Sequence, residues 1–369
     1  MQNYPLPPES GTLDLLAQPV LHVAEERIIF RNSAAALLLP DQLEVQGLLD
    51  EENLEAYRAH DGRSLLSLTL RLGGRPFHAA VRREAGRDVF VAQAQPRFET
   101  LRPDTLTILA QNVRRELAEL FDAAHVLLPA VEELEKPRLQ RQTARMNKSL
   151  YTLLRLSANL SDVGRCMAGE SCLRLEGVEL AGFLDGLCAG AAPLCAQMGV
   201  ELVYRRPQAV LVTADPQYLE RAVLNLLSNA LRFTPRGGQI SVSLEAGPAR
   251  VYLRIHDSGE GIAPAEMAGI FNRYERGAAA PGDPRGRAGL GLPLAQLVSQ
   301  LHGGTVVVSS GPEGGTTVTM SVARRLPAGD AEGFCSPIRR MDYAGGYDHA
   351  LLELSDALPL ELFDSVDIN

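Results

Sequence analysis

Asn225-Leu-Leu-Ser-Asn229-Ala-Leu-Arg232-Phe233-Thr-Pro decides how this chain is read. It belongs to a helical run that starts at Asp215-Pro216, where Asp215 caps the helix and proline takes its first position. At 3.6 residues per turn, a spacing of four puts Asn225 and Asn229 on one face. An amide oxygen is a suitable ligand for a hard, partly hydrated magnesium ion. Downstream come Asp257-Ser-Gly259-Glu-Gly261 and Gly286-Arg-Ala-Gly289-Leu-Gly291-Leu. A buried Asp can accept a hydrogen bond from the amino group of adenine. Glycines let backbone approach phosphates closely and adopt positive φ. Each piece alone is weak. In this order they describe a pocket for ATP with magnesium.

The order resembles the ATP-binding domain of bacterial sensor histidine kinases, a branch of the gyrase-like (Bergerat) ATPases, over about residues 176–325. The resemblance implies that Asn229 holds magnesium and that Asn225 and Arg232 contact phosphates. It implies that Asp257 reads adenine while Gly259 and Gly261 shape the pocket wall. Ile270-Phe271-Asn272-Arg273-Tyr274-Glu275-Arg276 looks like the family's phenylalanine box, with Arg276 reaching the terminal phosphate. Gly289 and Gly291 would form the glycine-rich end of a lid. Thr316, in Gly315-Thr316-Thr317-Val318, would stand on the closing strand near adenine. Arg232 replaces the family's usual Lys, and Ala288 stands where the family often has Thr.

Position 225 separates the branches. Gyrase-type hydrolases and the anti-sigma-factor serine kinases carry Glu there, and in the hydrolases it activates water. Asn225 takes no proton at neutral pH, so the chain resembles the histidine-kinase branch.

At 369 residues the chain has room for two or three domains, and 46% hydrophobic with 22% charged residues is ordinary for a globular protein. A net charge of −9 argues against a nucleic-acid surface. Ala181–Val200 comes nearest to a membrane span, but Asp185 interrupts an amphipathic pattern, so none is expected. The start, Met1-Gln-Asn-Tyr-Pro, lacks signal-peptide order. Five scattered cysteines without a CxxC pair read as reduced thiols, and the expected location is cytoplasmic.

The expected fold is multidomain α+β. Residues 1–100 resemble a PAS sensor domain in pattern, with short strands around Ala24-Glu-Glu and a hairpin at Gly73-Gly74. Residues 101–170 read as a two-helix dimerisation hairpin. Leu106, Leu109, Val113, Leu117, Leu120, Ala124, Leu127, Val131 and Leu134 form a heptad seam, and Lys136-Pro137 breaks it. Two such helices would pair with a second copy as a dimeric four-helix bundle. Residues 176–326 are the expected α/β-sandwich ATP-binding domain of the histidine-kinase/gyrase type. Residues 327–369 are expected to be a disordered acidic tail whose leucine-rich end could instead be a docking peptide.

In the family, the helical bundle carries a phosphoacceptor His followed by an acidic base. The matching stretch is Asn112-Val-Arg-Arg115-Glu116-Leu117, so Arg115 stands in the His position. A guanidinium stays protonated and is no nucleophile. Glu116 is a candidate base or an ion-pair partner of Arg115. His125, the other candidate in the helix, is followed by Val rather than an acid and reads as structural. Two functions remain. One is a sensor histidine kinase that passes phosphate to the receiver domain of a response regulator. The other is a catalytically degenerate, ATP-gated dimeric scaffold.

Overall fold

The computed structural model describes residues 13–14, 16–39, 44–84, 86–94, 103–132, 136–167, 173–205, 207–267, 269–271, 290–311, 314–324 and 348–363. The chain divides into two compact units. One comprises Met1–Arg97, Glu260–Gly289 and Thr305–Thr319; the other comprises Phe98–Gly259, Leu290–Gly304 and Met320–Asn369.

The first unit holds β1 (Val20–Ala24), β2 (Arg27–Arg31), α1 (Ser33–Leu38), α2 (Glu51–Ala59), β3 (Leu65–Leu72), β4 (Arg75–Glu84) and β5 (Arg87–Ala94). Its strands are antiparallel in the order β2-β1-β5-β4-β3. Glu25 and Glu26 both have positive φ (51° and 61°). That pair of conformations is what a two-residue hairpin matched to strand twist requires. Asn32 is fully buried. Its Oδ1 accepts from Val20 N (2.9 Å) and Ala35 N (3.0 Å), so it caps α1 and ties it to β1. Leu21, Val23, Leu66, Leu68, Leu70, Phe77 and Phe90 form the core. A later strand, Val306–Gly311, pairs antiparallel with β3 through Val308 opposite Ser67, and Val307 joins the same core.

In the second unit, α3 (Pro103–Glu132) and α4 (Pro137–Met167) pack against each other. The predicted seam splits in two. Leu117 and Ala124 are buried, together with Ala110 and Phe121 from outside the seam, and Phe121 is edge-on to Tyr151 at 5.4 Å. Leu109, Val113, Leu120 and Leu127 form an exposed stripe on the same helix.

Then follow β6 (Glu176–Glu179), α5 (Leu180–Gln197), β7 (Glu201–Arg205), β8 (Leu211–Ala214), α6 (Pro216–Phe233), β9 (Gln239–Ala246) and β10 (Arg250–Asp257). β7 pairs parallel to β9, β9 antiparallel to β10, and β6 antiparallel to β8. The short α7 (Pro264–Met267) and β11 (Val306–Gly311) belong to the first unit. α8 (Gly291–Leu301) belongs to the second, and β12 (Gly314–Ala323) contributes to both. α5 is long and apolar enough to pass for a membrane span, but its Leu184, Cys188, Ala191 and Cys195 are buried along one face. Asp215 caps α6 as expected. Its Oδ1 accepts from Gln217 N (3.0 Å) and Tyr218 N (3.2 Å), and its Oδ2 from Arg174 N (2.8 Å).

The tail corrects an expectation. Residues 348–363 are ordered, as α9 (His349–Leu354) and a 3-10 turn (Leu360–Phe363). Leu352, Leu354 and Phe363 are fully buried.

Candidate functional site

α6 places the two asparagines one turn apart, as the spacing requires, but in different surroundings. Asn225 is fully buried. Its Oδ1 accepts from Arg155 Nη2 (3.0 Å) and Asn159 Nδ2 (3.3 Å), and its Nδ2 donates to the Arg221 carbonyl (2.8 Å) and Glu353 Oε2 (3.1 Å). A carboxamide offers two donors and two lone pairs, so every position is taken. Asn225, read from the sequence as a phosphate contact, is saturated within the protein. Gly291 presses on it, since a Cβ there would stand 3.0 Å from Asn225 Oδ1. Asn229 is only half-buried.

Around Asn225 lies a network that the sequence reading missed. Arg221 Nε pairs with Glu353 Oε1 (3.2 Å), Arg221 Nη2 donates to Asn159 Oδ1 (2.7 Å), and Arg221 also pairs with Asp162. Arg155 Nε meets Glu353 Oε2 (3.2 Å) and its Nη1 meets Asp356 Oδ2 (2.9 Å). Burial raises the Asp162 carboxyl above the usual carboxylate range, against the opposing pull of Arg221. One signal was present. Arg155, Asn159 and Asp162 recur at four and three residues, which is a polar stripe along one face of α4.

The C-terminal end of α6 is built differently. Asp257, at the end of β10, is buried and its Oδ1 accepts from Gly259 N (2.9 Å). A Cβ at Gly259 would stand 2.5 Å from the Phe233 carbonyl oxygen and 2.7 Å from Asp257 Oδ1, so only glycine lets this turn close on the end of α6. That contact brings the Asp257 turn beside the helix end carrying Asn229 and Arg232, whose guanidinium lies 5.6 Å from the Phe233 ring centre. Asn229 offers one amide ligand. Among the described residues, no cluster of three His, Cys, Asp or Glu could hold a metal. This donor set suits magnesium held mainly by phosphates and water.

Gly261 and Thr316 belong to the first unit. Gly261 has φ +79°, and a Cβ there would meet Ser310 Oγ at 2.6 Å; that hydroxyl accepts from Ile262 N (2.8 Å). Thr316 is buried on β12. Phe271 stacks on His78 at 4.3 Å, and burial lowers the His78 pKa to about 3. Arg276 and Gly289 lie outside the described residues. On α3, Arg115 Nε is 3.6 Å from Glu116 Oε1 with both side chains exposed, so Glu116 is an ion-pair partner here. The side chain of His125 lies outside the description.

Comparison with known proteins agrees with the motif order. The profile of the histidine kinase-, DNA gyrase B- and HSP90-like ATPases matches residues 214–326. The chain is related to the bacterial sensor histidine kinases. It is 41% identical over 121 residues to the histidine protein kinase DivJ of Caulobacter vibrioides, covering 33% of this chain and 19% of DivJ. It is 26% identical over 232 residues to the sensor-like histidine kinase SenX3 of Mycobacterium tuberculosis, covering 63% of this chain and 56% of SenX3. A crystal structure of full-length ShkA with AMPPNP aligns with 62% of this chain and 47% of its own, at 25% identity and a TM-score of 0.47. The chain thus spans 19% and 56% of the length of these two curated relatives.

Proposed function

We propose that this chain binds ATP with magnesium as a cytoplasmic, homodimeric, two-component sensor histidine kinase. The observation that carries the reading is the Asp257–Gly259 turn closing on the end of α6 beside Asn229 and Arg232. Asp257 would accept from the adenine amino group. Asn229 would supply one magnesium ligand, and Arg232 would neutralise phosphate charge. Arg276, the Gly289–Gly291 end of the lid and Thr316 are assigned by resemblance to the terminal phosphate, the lid and adenine. Phosphoryl transfer is mainly positioning and charge stabilisation, and these groups supply both. The exposed stripe Leu109, Val113, Leu120 and Leu127 supports a second copy as the cover of α3. The antiparallel sheet of β1–β5 supports a PAS-like input domain, and the partner would be a response-regulator receiver domain.

The exposed Arg115–Glu116 pair favours a second reading, an ATP-gated scaffold without autokinase activity. Autophosphorylation with γ-labelled ATP separates the two, comparing wild type with Arg115→His and His125→Ala. Acid-labile label on wild type, lost in His125→Ala, makes the chain a kinase with a displaced acceptor. Label on Arg115→His alone makes it a scaffold that keeps a competent ATP site.

A further inference from the structure

Residues 348–363 contact the helix that carries the nucleotide residues at the asparagine whose amide is already saturated. Three kinds of contact hold the segment. Apolar side chains Leu352, Leu354 and Phe363 are fully buried, with Phe363 5.5 Å from the Tyr151 ring. Backbone carbonyls of Leu358 and Phe363 accept from Lys148 and from Asn147 Nδ2 (3.1 Å). Glu353, fully buried, accepts from Arg155, Arg221 and Asn225. At its start, His349 meets Glu220 of α6 at 2.7 Å. The segment therefore bridges α4 and α6 through one carboxylate. Guanidinium and amide donors around a single anion are also the donors a phosphate would use.

We propose that residues 348–363 form an intramolecular clamp that competes with nucleotide for Asn225. This rests on the ATP reading above and on the phosphate role that the resemblance implies for Asn225. With Glu353 seated, Asn225 has no donor or acceptor left for a phosphate, and α4 is fixed to α6. Engagement of Asn225 by nucleotide breaks the Glu353 contact, and release of the segment frees one Nδ2 hydrogen of Asn225, while its bonds to Arg155, Asn159 and the Arg221 carbonyl lie outside the segment. Linkage makes the effect reciprocal: what loosens the clamp tightens nucleotide, and nucleotide loosens the clamp by the same factor.

Titration of the full chain with a fluorescent ATP analogue and magnesium tests this, comparing wild type with Glu353→Gln and Leu352→Ser. The first removes the charge at Asn225, and the second unseats α9 without touching it. Both are expected to bind about fivefold tighter or more. Variants that melt cooperatively yet bind like wild type, or more weakly, overturn the clamp while leaving the ATP reading intact. Absence of binding in every variant overturns both. Hydrogen exchange on wild type covers the case of a variant that does not fold. Amides of Leu352–Leu354 should exchange faster at saturating nucleotide, and unchanged protection overturns the clamp.

Discussion

The middle of α6 and its C-terminal turn differ more than their sequence suggests. Around Asn225, two guanidinium groups, three carboxylates and the Asn159 carboxamide close on one another, largely buried. One turn on, Asn229 is half-buried beside a glycine-shaped turn whose Asp257 carries the adenine assignment. A buried polar network fixes geometry because removing any member strands its partners. A partly open amide is free to take a ligand. With the 348–363 segment seated, the same residue type is an internal fastener at one position and the proposed binding group at the other.

The largest effect should come from breaking the network around Asn225. Arg221→Ala leaves Glu353 and Asp162 without a shared counter-charge and should cost about 3–5 kcal/mol of stability in urea unfolding. A loss below 1 kcal/mol, on the order of an exposed pair, would mean that the network is not sealed.

The open end is tested by Asn229→Ala. It should leave the urea midpoint nearly unchanged and remove the magnesium-dependent gain in ATP affinity, about tenfold for one charge-assisted contact of roughly 1.4 kcal/mol. Magnesium enhancement that persists in the variant would move the metal site elsewhere.

A smaller effect concerns the first unit, where His78 is buried under Phe271 with a pKa lowered from 6.5 to about 3. Between those values the unfolded chain binds a proton that the folded chain does not. His78 therefore makes stability fall as pH drops below 6.5. His22 and His60 are shifted the same way by burial. Replacing His78 with Gln should flatten part of the acid-side loss in melting temperature. An unchanged pH slope would show that His78 titrates freely.

Much of this was legible in the sequence because the signals are local. Asp215-Pro216 announced α6, and Lys136-Pro137 marked the break between the two long helices. Asp257-Ser-Gly259 was readable because close backbone approach demands glycine. The Asn225 network was not readable, because its parts are distant in the chain. Glu353 meets Arg221 across 132 residues and Arg155 across 198. An acid among leucines near the chain end looks like a solvated tail until those partners are placed. The seam of α3 was half-read for a related reason. Heptad spacing marks apolar positions, but only packing against α4 separates Leu117 and Ala124 from the exposed Leu109, Val113, Leu120 and Leu127.

Calorimetric titration of the full chain with ATP and magnesium, wild type beside Asp257→Asn, tests the central claim most directly. Wild type should bind one ATP per chain, and the variant should lose about ten- to a hundredfold in affinity, the worth of a buried hydrogen bond to a charged group. Equal affinity in the two proteins, or no binding by wild type and by the variants that unseat the tail, would contradict an adenine site at Asp257.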